Sequence, residues 1–561
     1  MIFSSITFIF AFLPVVWVVF HLLKRAQFTA HYTFAKVFLI CASLFFYAYW
    51  KLSYLPILLS SIIVNYCLAH CVLKASSIKM SLSPKFYFII GVIFNLCLLG
   101  FFKYTDFFLE NFNTFTKLAH LDFDIPLPHI LLPLALSFVT FQQIAFLYDC
   151  YKYTKGELNE NLNMNFIDYA LFISFFPQLI AGPIVHHREM MPQFAKMDNS
   201  SPTKSLQETQ GIAPHFSSQT TNSSQDIQIV NSSLLALKTD ILEQKSNIQK
   251  STHTTYEFLA KGLFIFAIGL FKKTFIADSF AKWANAGFSV VEKSEYLNIA
   301  ESWATSLSYT FQLYFDFSGY CDMAIGLGLM FGIVLPLNFN SPYKSLNISE
   351  FWRRWHITLG RFLTECVYIP LGGSRVSKIL NLRNIFIVFF LSGVWHGAGW
   401  GFVIWGTLHA LAMMVHRCYM WFHQSLDKAS AFAQFMQTKS YKVLCWLLTF
   451  NFVSLTWIFF RAENLNGAVN LLKGMFGVVW VNLPEEAYKI IRLLDRIDGR
   501  DNTVLFIVLG FVVCLAFKNS FEKLQTFTPS WKLSLFVAIL LCCAFCSLLG
   551  FSYSPFIYFN F

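Results

Sequence analysis

The sequence predicts an all-α polytopic membrane protein, an inference that rests on composition and on the length of the apolar runs. Of 561 residues, 56% are hydrophobic and 13% are charged, and Phe alone supplies 66 of them. An ordinary soluble domain carries roughly 25% charged residues. Mean hydropathy is +0.53. Because a water-soluble fold needs a polar coat over its surface, this composition excludes a cytosolic enzyme, a disordered protein and a small disulfide scaffold.

Apolar runs of membrane-spanning length recur along the whole chain. The first, at residues 2–23, is long enough to cross about 30 Å of hydrocarbon. No basic segment precedes it and no small-residue cleavage site follows it, so we expect a retained span rather than a removed signal peptide. The runs predict about eleven to thirteen crossings, and the shorter ones predict re-entrant or half-helices, which are tolerated only inside protein or beside water. The further runs lie near residues 32–50, 55–73, 86–102, 130–148, 166–181, 257–277, 301–315, 320–337, 384–395, 400–421, 443–460, 503–517 and 532–550.

The charge balance fits the same class of protein. The formal net charge is +11, which on a membrane protein indicates cationic cytoplasmic loops rather than nucleic-acid binding. Basic loops alternate with a loop that carries only Lys51 and with a loop rich in Asp and Glu. This alternation predicts an outside N-terminus and cytoplasmic odd-numbered loops. The basic loops carry Lys24 and Arg25, then Lys74, Lys79 and Lys85, then Lys152 and Lys155.

Composition divides the chain into three parts. Residues 1–196 form an N-terminal transmembrane part, and residues 256–561 form a core with the polar motifs and the C-terminal helices. Residues 197–255 are rich in Ser, Thr, Gln and Asn and cannot bury enough apolar surface to offset their ordering entropy, so we expect a mobile loop insertion. The thirteen cysteines lie mostly in apolar runs without zinc-ligand spacing, and we expect neither a disulfide nor a metal site.

The first polar motif within an apolar run covers residues 314–322 and contains Asp316 and Asp322. Ionisable residues inside a membrane are costly and indicate a functional site by default, although a spacing of six does not place both carboxylates on one helical face. The alternative is that each aspartate caps a helix or pairs with a neighbouring arginine. Nearby glycines would let another helix approach closely; they are Gly319, Gly326, Gly328 and Gly332.

The second motif, at residues 350–356, concentrates two guanidinium groups, two indoles and an imidazole. Arginine offers a planar fork that fits phosphate or carboxylate, which indicates a ligand-binding segment. The alternative is an interfacial helix with Trp at headgroup level and Arg reaching lipid phosphates. The residues concerned are Trp352, Arg353, Arg354, Trp355 and His356.

The third motif, at residues 392–400, places His396 at the end of an apolar run between glycines. Glycine removes steric cover, so a substrate could reach the imidazole, and a neutral imidazole is the form that a general base needs. The alternative is a core histidine bonded to a carbonyl, with Gly393 and Gly397 as a packing face. His409, in the next run, is expected to be a packing residue.

At these motifs the chain resembles the membrane-bound O-acyltransferases, and in particular their bacterial branch that acetylates alginate or peptidoglycan. The FWRRWH and VWHG motifs, with histidines forty residues apart, are highly specific for it. The matching text is YFDFSGYCDMAIGLGLMFG at 314–332, NFNSPYKSLNISEFWRRWHITL at 338–359, YIPLGGSR at 368–375, SGVWHGAGWGFVIWGTLHA at 392–410 and FIYFNF at 556–561.

The resemblance implies a ring of tilted helices around a thinned centre that is open to both faces. The family's catalytic histidine corresponds to His396, and its second histidine corresponds to His356. We expect His396 to activate the acceptor nucleophile and His356 to orient it or to stabilise the oxyanion. Substrate and donor contacts are expected from Arg353, Arg354, Trp352, Trp355, Trp395, Lys344 and Asp316.

The resemblance also implies the reaction and its setting. We expect a multi-pass protein of the bacterial inner membrane, in contact with lipid, that moves an acetyl group from a cytoplasmic thioester, acetyl-CoA, to an extracytoplasmic polysaccharide. A periplasmic SGNH-type acetyltransferase is the expected partner, and no resident cofactor or metal is expected. The alternatives are D-alanyl or other acyl transfer to a cell-envelope polymer, and a non-catalytic transporter or scaffold.

One segment departs from the family pattern. After His356 the branch usually shows a Trp-Leu-Arg-Asp-Tyr-like run, whereas this chain has Phe-Leu-Thr-Glu-Cys at 362–366. The basic residue is lost and the acid is retained as Glu365. This difference argues against a phosphate contact from that turn.

Overall fold

The computed structural model describes residues 1–25, 33–77, 82–121, 123–158, 164–198, 255–425, 434–479, 481, 493–550 and 556–557. Within these ranges every regular element is a helix and no strand occurs, which confirms the predicted all-α class. The predicted insertion at 197–255 lies outside the described residues, apart from its first two residues and its last. Those first two complete a helix that ends at Asp198, and the mobility of the insertion stays a prediction.

Twenty α-helices make up the described part of the chain, joined in places by short π-helical or 3-10 segments. The π-helical segments are Phe8–Phe12, Lys272–Ala277 and Thr364–Tyr368, and the 3-10 turns are Leu52–Tyr54, Pro342–Lys344 and Asp495–Ile497. The α-helices are α1 (Leu13–Arg25), α2 (Thr33–Ala48), α3 (Leu55–Ser77), α4 (Pro84–Leu118), α5 (Leu136–Thr154), α6 (Phe166–Ser174), α7 (Phe176–Leu179), α8 (His187–Asp198), α9 (Thr255–Phe271), α10 (Asp278–Glu292), α11 (Ile299–Met330), α12 (Ile348–Arg354), α13 (Ile357–Leu363), α14 (Lys378–His396), α15 (Trp400–Ser425), α16 (Lys439–Arg461), α17 (Leu465–Met475), α18 (Asp501–Ala516), α19 (Ser520–Gln525) and α20 (Trp531–Gly550).

Long apolar helices confirm that the chain is a polytopic membrane protein. Six described helical segments are long and apolar enough to cross a membrane, and α2 and α18 are shorter apolar helices. The apolar side chains of α4 and α20 point mostly outward, as expected of helices that cross a membrane. The ring arrangement and the total of eleven to thirteen crossings stay predictions. The six segments are Phe8–Arg25, Leu52–Ala75, Pro84–Leu118, Lys378–His396, Lys439–Arg461 and Trp531–Gly550.

The fourth helix is longer than its apolar run predicts. The run was expected to end at residue 102 because charged residues follow it, but α4 continues to Leu118 and has 35 residues, about 52 Å at 1.5 Å per residue. The charges are accommodated by partners. Lys103 donates to backbone carbonyls of α14, and the carboxylate of Asp106 accepts from the backbone N–H groups of His129 and Ile130.

The central helix α11 replaces two predicted segments, at 301–315 and 320–337, with one continuous helix. Its first turn is closed by a reciprocal capping box between Asn298 and Glu301. It ends where Gly332 adopts a left-handed conformation with φ of +79°. Nearly all of its side chains are buried, and no proline interrupts it. The polar motif at 314–322 therefore lies in the middle of a buried helix rather than in a turn between two spans.

Glycines hold α9 and α11 in close contact, as predicted for Gly319 and Gly326. A Cβ atom on Gly326 would lie 2.7 Å from the carbonyl oxygen of Gly262, and one on Gly319 would lie 2.8 Å from the carbonyl oxygen of Gly269. Any side chain there would push the two backbones apart. Gly328 instead faces Ile333 in the loop that follows α11.

Candidate active site

The two predicted histidines both lie close to one indole ring. His396 is the last residue of α14, and His356 lies between α12 and α13. The ring centroid of Trp395 is 4.7 Å from that of His396 and 6.4 Å from that of His356. Two motifs forty residues apart in the sequence therefore share one buried centre.

A backbone carbonyl fixes the tautomer of His396. Its Nδ1 lies 2.6 Å from the carbonyl oxygen of Ser392, one turn earlier in α14. A carbonyl can only accept, so Nδ1 carries the proton and Nε2 of the neutral ring carries the lone pair. A core histidine is expected to make this hydrogen bond. The same bond also suits a general base, because it leaves the basic Nε2 directed away from the helix.

Aromatic rings enclose His396 almost completely. Trp405 and Phe460 lie 4.8 and 5.3 Å from it, and the residue is 2% exposed. Glycine was expected to leave room for a substrate here, but the ring of Phe402 fills the space beside Gly397, where a Cβ atom would lie 2.1 Å away. A substrate can reach Nε2 only if these rings move.

Asn338 fixes the second histidine. Its Oδ1 lies 3.2 Å from Nδ1 of His356 and also accepts from the backbone N–H and the hydroxyl of Thr358. The amide oxygen only accepts, so His356 also carries its proton on Nδ1. His356 has a left-handed backbone, with φ of +47°, a strain of about 1–3 kcal/mol that persists only where surrounding structure imposes it. Sequence reasoning quoted Asn338 within a motif but gave it no role.

Asp316 lies at a junction of helices rather than at an open surface. Its carboxylate is 2.9 Å from Nζ of Lys273 and accepts from the backbone N–H of Ile557, near the C-terminus. One turn and a half further on, Asp322 binds Nζ of Lys272 at 2.7 Å. Both aspartates thus follow the ion-pair alternative, but their partners are lysines of the π-helical segment that follows α9, not arginines.

A cavity adjoins this polar junction. It is small, with room for about one water molecule, and is lined by Lys272 and Asp322, by Ser520 of α19 and by Asn338. The amide that holds His356 therefore also faces this cavity. His356 itself does not line the cavity, and Asn338 connects the two.

The predicted phosphate-binding cations differ in their availability. Arg354 is bound by the carboxylate of Glu350 at 2.9 Å and donates to the carbonyl of Asn340. Nζ of Lys344 donates to the carbonyl of Phe517 at 2.8 Å. Arg353 is exposed, and within the described ranges no ion pair includes it. Of these three cations, Arg353 is the one whose side chain makes neither an ion pair nor a hydrogen bond within the described ranges, so it is the most available to a ligand.

The tryptophans of the second motif face the protein interior. Trp355 is 1% exposed and packs against Trp457 at 5.0 Å. The indole N–H of Trp352 donates to Nδ1 of His409, whose Nε2 lies 3.0 Å from the hydroxyl of Thr456. These contacts exclude the interfacial-helix alternative for the two tryptophans. They also confirm His409 as a packing residue, held as the Nε2-protonated tautomer.

No metal site is present among the described residues, since no group of three His, Cys, Asp or Glu side chains there could hold an ion. His187 binds Asp149 at 3.0 Å, and Arg188 binds Glu365 at 2.7 Å. Glu365, the acid retained in the run at 362–366, is thus an ion-pair partner of Arg188 in α8. Nearby, burial tends to raise the pKa of Glu189, but the charge and hydrogen bonds of Arg361 lower it below its usual range.

Two residues that sequence reasoning did not select contact the end of α14. Nζ of Lys103 donates to the carbonyl oxygens of Trp395 and His396, and the hydroxyl of Tyr104 donates to that of Val394 at 2.5 Å. Lys103 was placed in a loop because a charge normally ends an apolar run. Its position within an otherwise apolar helix was the signal that could have singled it out.

The fold and the site define a polytopic helical membrane protein with a buried pair of histidines whose tautomers are fixed. Residues 159–460 match the model of the membrane-bound O-acyltransferase family, and the chain belongs to that family. It is therefore an O-acyltransferase.

Individual relatives agree with this assignment. The chain is 42% identical to the peptidoglycan O-acetyltransferase of Helicobacter pylori, over 100% of this chain and 98% of the relative. It is 34% identical to a probable alginate O-acetylase of Pseudomonas syringae pv. tomato, over 85% of this chain and 75% of the relative. A teichoic acid D-alanyltransferase of Bacillus subtilis is 32% identical over only 28% of this chain and 40% of the relative.

Proposed function

We propose that this protein O-acetylates peptidoglycan, taking the acetyl group from a cytoplasmic thioester, acetyl-CoA, and transferring it across the inner membrane. The observation that supports the proposal is the buried pair of His396 and His356, each with Nδ1 hydrogen-bonded to an oxygen, so that the lone pair of the neutral ring lies on Nε2. The choice of polymer is supported by similarity over the whole chain to a peptidoglycan O-acetyltransferase. Alginate is the second candidate, and the short match to a D-alanyltransferase does not favour D-alanyl transfer.

In the proposed reaction His396 is the general base. Its Nε2 takes the proton of an acceptor hydroxyl while that oxygen bonds to the acyl carbon of the thioester. The C–S bond then breaks, and the thiolate leaves with the proton returned by the imidazolium. His356 orients the acceptor or stabilises the oxyanion, and general-base assistance of this kind accelerates a reaction by roughly 10²–10⁴-fold.

The donor is proposed to approach from the cytoplasmic face. The exposed guanidinium of Arg353 is the best placed of the predicted cations to bind its phosphates, with Arg354 and Lys344 in supporting positions. A periplasmic SGNH-type partner would accept the acetyl group and pass it to the glycan.

The test is to quantify ester-linked acetate on peptidoglycan and on each other surface polymer, with and without the gene. We expect acetate on peptidoglycan to be lost on deletion and restored by the wild-type gene but not by His396→Ala. The matched control is His416→Ala, since His416 lies on α15 outside the histidine pair. Unchanged acetate after His396→Ala would reject the enzymatic role and would favour a scaffold.

A further inference from the structure

The C-terminal end of α14 exposes backbone carbonyls at the catalytic histidine. The last carbonyl groups of a helix have no partner within the helix, and inside a membrane protein each unsatisfied group costs several kcal/mol. Gly397 leaves the helix in an extended conformation, with φ of −166° and ψ of 155°. The chain after His396 therefore does not turn back to cap these carbonyls.

Two consecutive residues of α4 supply the missing donors. Nζ of Lys103 binds the carbonyl oxygens of Trp395 and of His396, the latter at 3.3 Å, and the Tyr104 hydroxyl binds that of Val394. The ammonium also lies 5.7 Å from the centroid of the Trp395 ring. Three successive carbonyls are thus held by a helix almost 300 residues away in sequence.

We propose that Lys103 is a positioning residue for His396, an inference that rests on the proposed function. The imidazole is fixed at Nδ1 by the Ser392 carbonyl, and its backbone is fixed by Lys103. The same ammonium holds Trp395, whose ring lies close to both histidines. A cation is also favourable at the negative end of the helix dipole. Lys103 contacts carbonyls rather than a substrate position, so it acts through His396.

The experiment compares Lys103→Met with Lys103→Arg in purified full-length protein, with acetyl transfer and thermal unfolding measured on the same samples. Misplacing a reacting group by about 1 Å costs about 10²-fold in rate. We therefore expect Lys103→Met to lower kcat roughly 10- to 100-fold with little change in the KM for acetyl-CoA, and Lys103→Arg to recover most of the loss. The matched control is Lys36→Met, because Lys36 is also buried but pairs with Asp168 away from the histidines.

The result that overturns the proposal is a kcat for Lys103→Met close to that of wild type, or a loss that Lys103→Arg and Lys36→Met share equally. A second readout does not depend on turnover: carbethoxylation of His396 by diethyl pyrocarbonate, followed by mass spectrometry. We expect faster modification in Lys103→Met than in wild type or Lys36→Met, and equal rates would overturn the proposal. Absence of acetyl transfer by wild type would instead count against the proposed function.

Discussion

Hydrogen bonds to Nδ1 set the chemistry of both histidines. Ser392 and Asn338 supply acceptor oxygens, so each neutral ring keeps its lone pair on Nε2. His409 packs nearby against Trp405. Its Nδ1 accepts a hydrogen bond from the indole N–H of Trp352, so it has the opposite tautomer, with the proton on Nε2. In the sequence, His409 looks much like His396, since each lies in or at the end of an apolar run. Their hydrogen-bond partners in the fold distinguish the two potential bases, His396 and His356, from the packing histidine.

Asn338→Ala tests the support of His356. The substitution removes the acceptor shared by His356 and Thr358, and a buried donor left unsatisfied costs about 1–3 kcal/mol. We expect a loss of transfer activity of at least about tenfold together with a lower unfolding temperature. The measurement is a paired activity and thermal-unfolding assay, with Asn451→Ala as control because Asn451 bonds only to its own helix within the described contacts. Equal effects of the two substitutions would contradict this role.

At the scale of helices, two lysines that follow α9 pair with two aspartates of α11. The pairs are Lys272 with Asp322 at 2.7 Å and Lys273 with Asp316 at 2.9 Å. Their lysines lie in a π-helical segment, a local irregularity that is often found at functional sites. Glycine contacts along the same two helices bring the backbones close enough for these pairs to form.

Asp322→Asn is expected to destabilise the protein strongly. Removing one partner of a buried ion pair costs about 3–5 kcal/mol, because the other charge is left uncompensated. The double substitution Lys272→Met with Asp322→Leu removes both charges and should recover most of that stability. Thermal unfolding of the wild type and of the single and double variants in one detergent checks this, and a double variant no more stable than Asp322→Asn would contradict it.

Gly326→Val tests the contact between α9 and α11. A Cβ atom at this position would lie 2.7 Å from the carbonyl oxygen of Gly262, and overpacking of this kind costs about 1–3 kcal/mol. We expect a clear fall in the unfolding temperature. Gly100→Val is the matched control, because a Cβ atom on Gly100 meets nothing within 4 Å. Equal unfolding temperatures for the two variants would show that the contact at Gly326 does not limit stability.

For the molecule as a whole, the sequence predicted the features that depend on local composition. Apolar runs identified the class, and the two histidine motifs identified the centre where His396 and His356 meet. It did not predict that α4 continues beyond residue 102 or that α11 is one continuous helix. A charge or a polar motif ends a helix only when it lacks a partner in the folded protein, and such partners are not visible in the sequence. The role of Lys103 was missed because its partners are almost 300 residues away. The role of Asn338 was missed because its bonds to His356 and Thr358 depend on how the loop after α11 folds back.

The proposed reaction requires the Nε2 atom of His396 to act as a base at a buried centre. The most direct test is acetyl transfer from acetyl-CoA by the purified full-length protein in liposomes, comparing wild type with His396→Gln, which keeps a polar side chain but has no basic nitrogen. We predict transfer by wild type and a loss of roughly 10²–10⁴-fold in the variant, with an unchanged unfolding temperature. Transfer by His396→Gln at the wild-type rate would contradict the account.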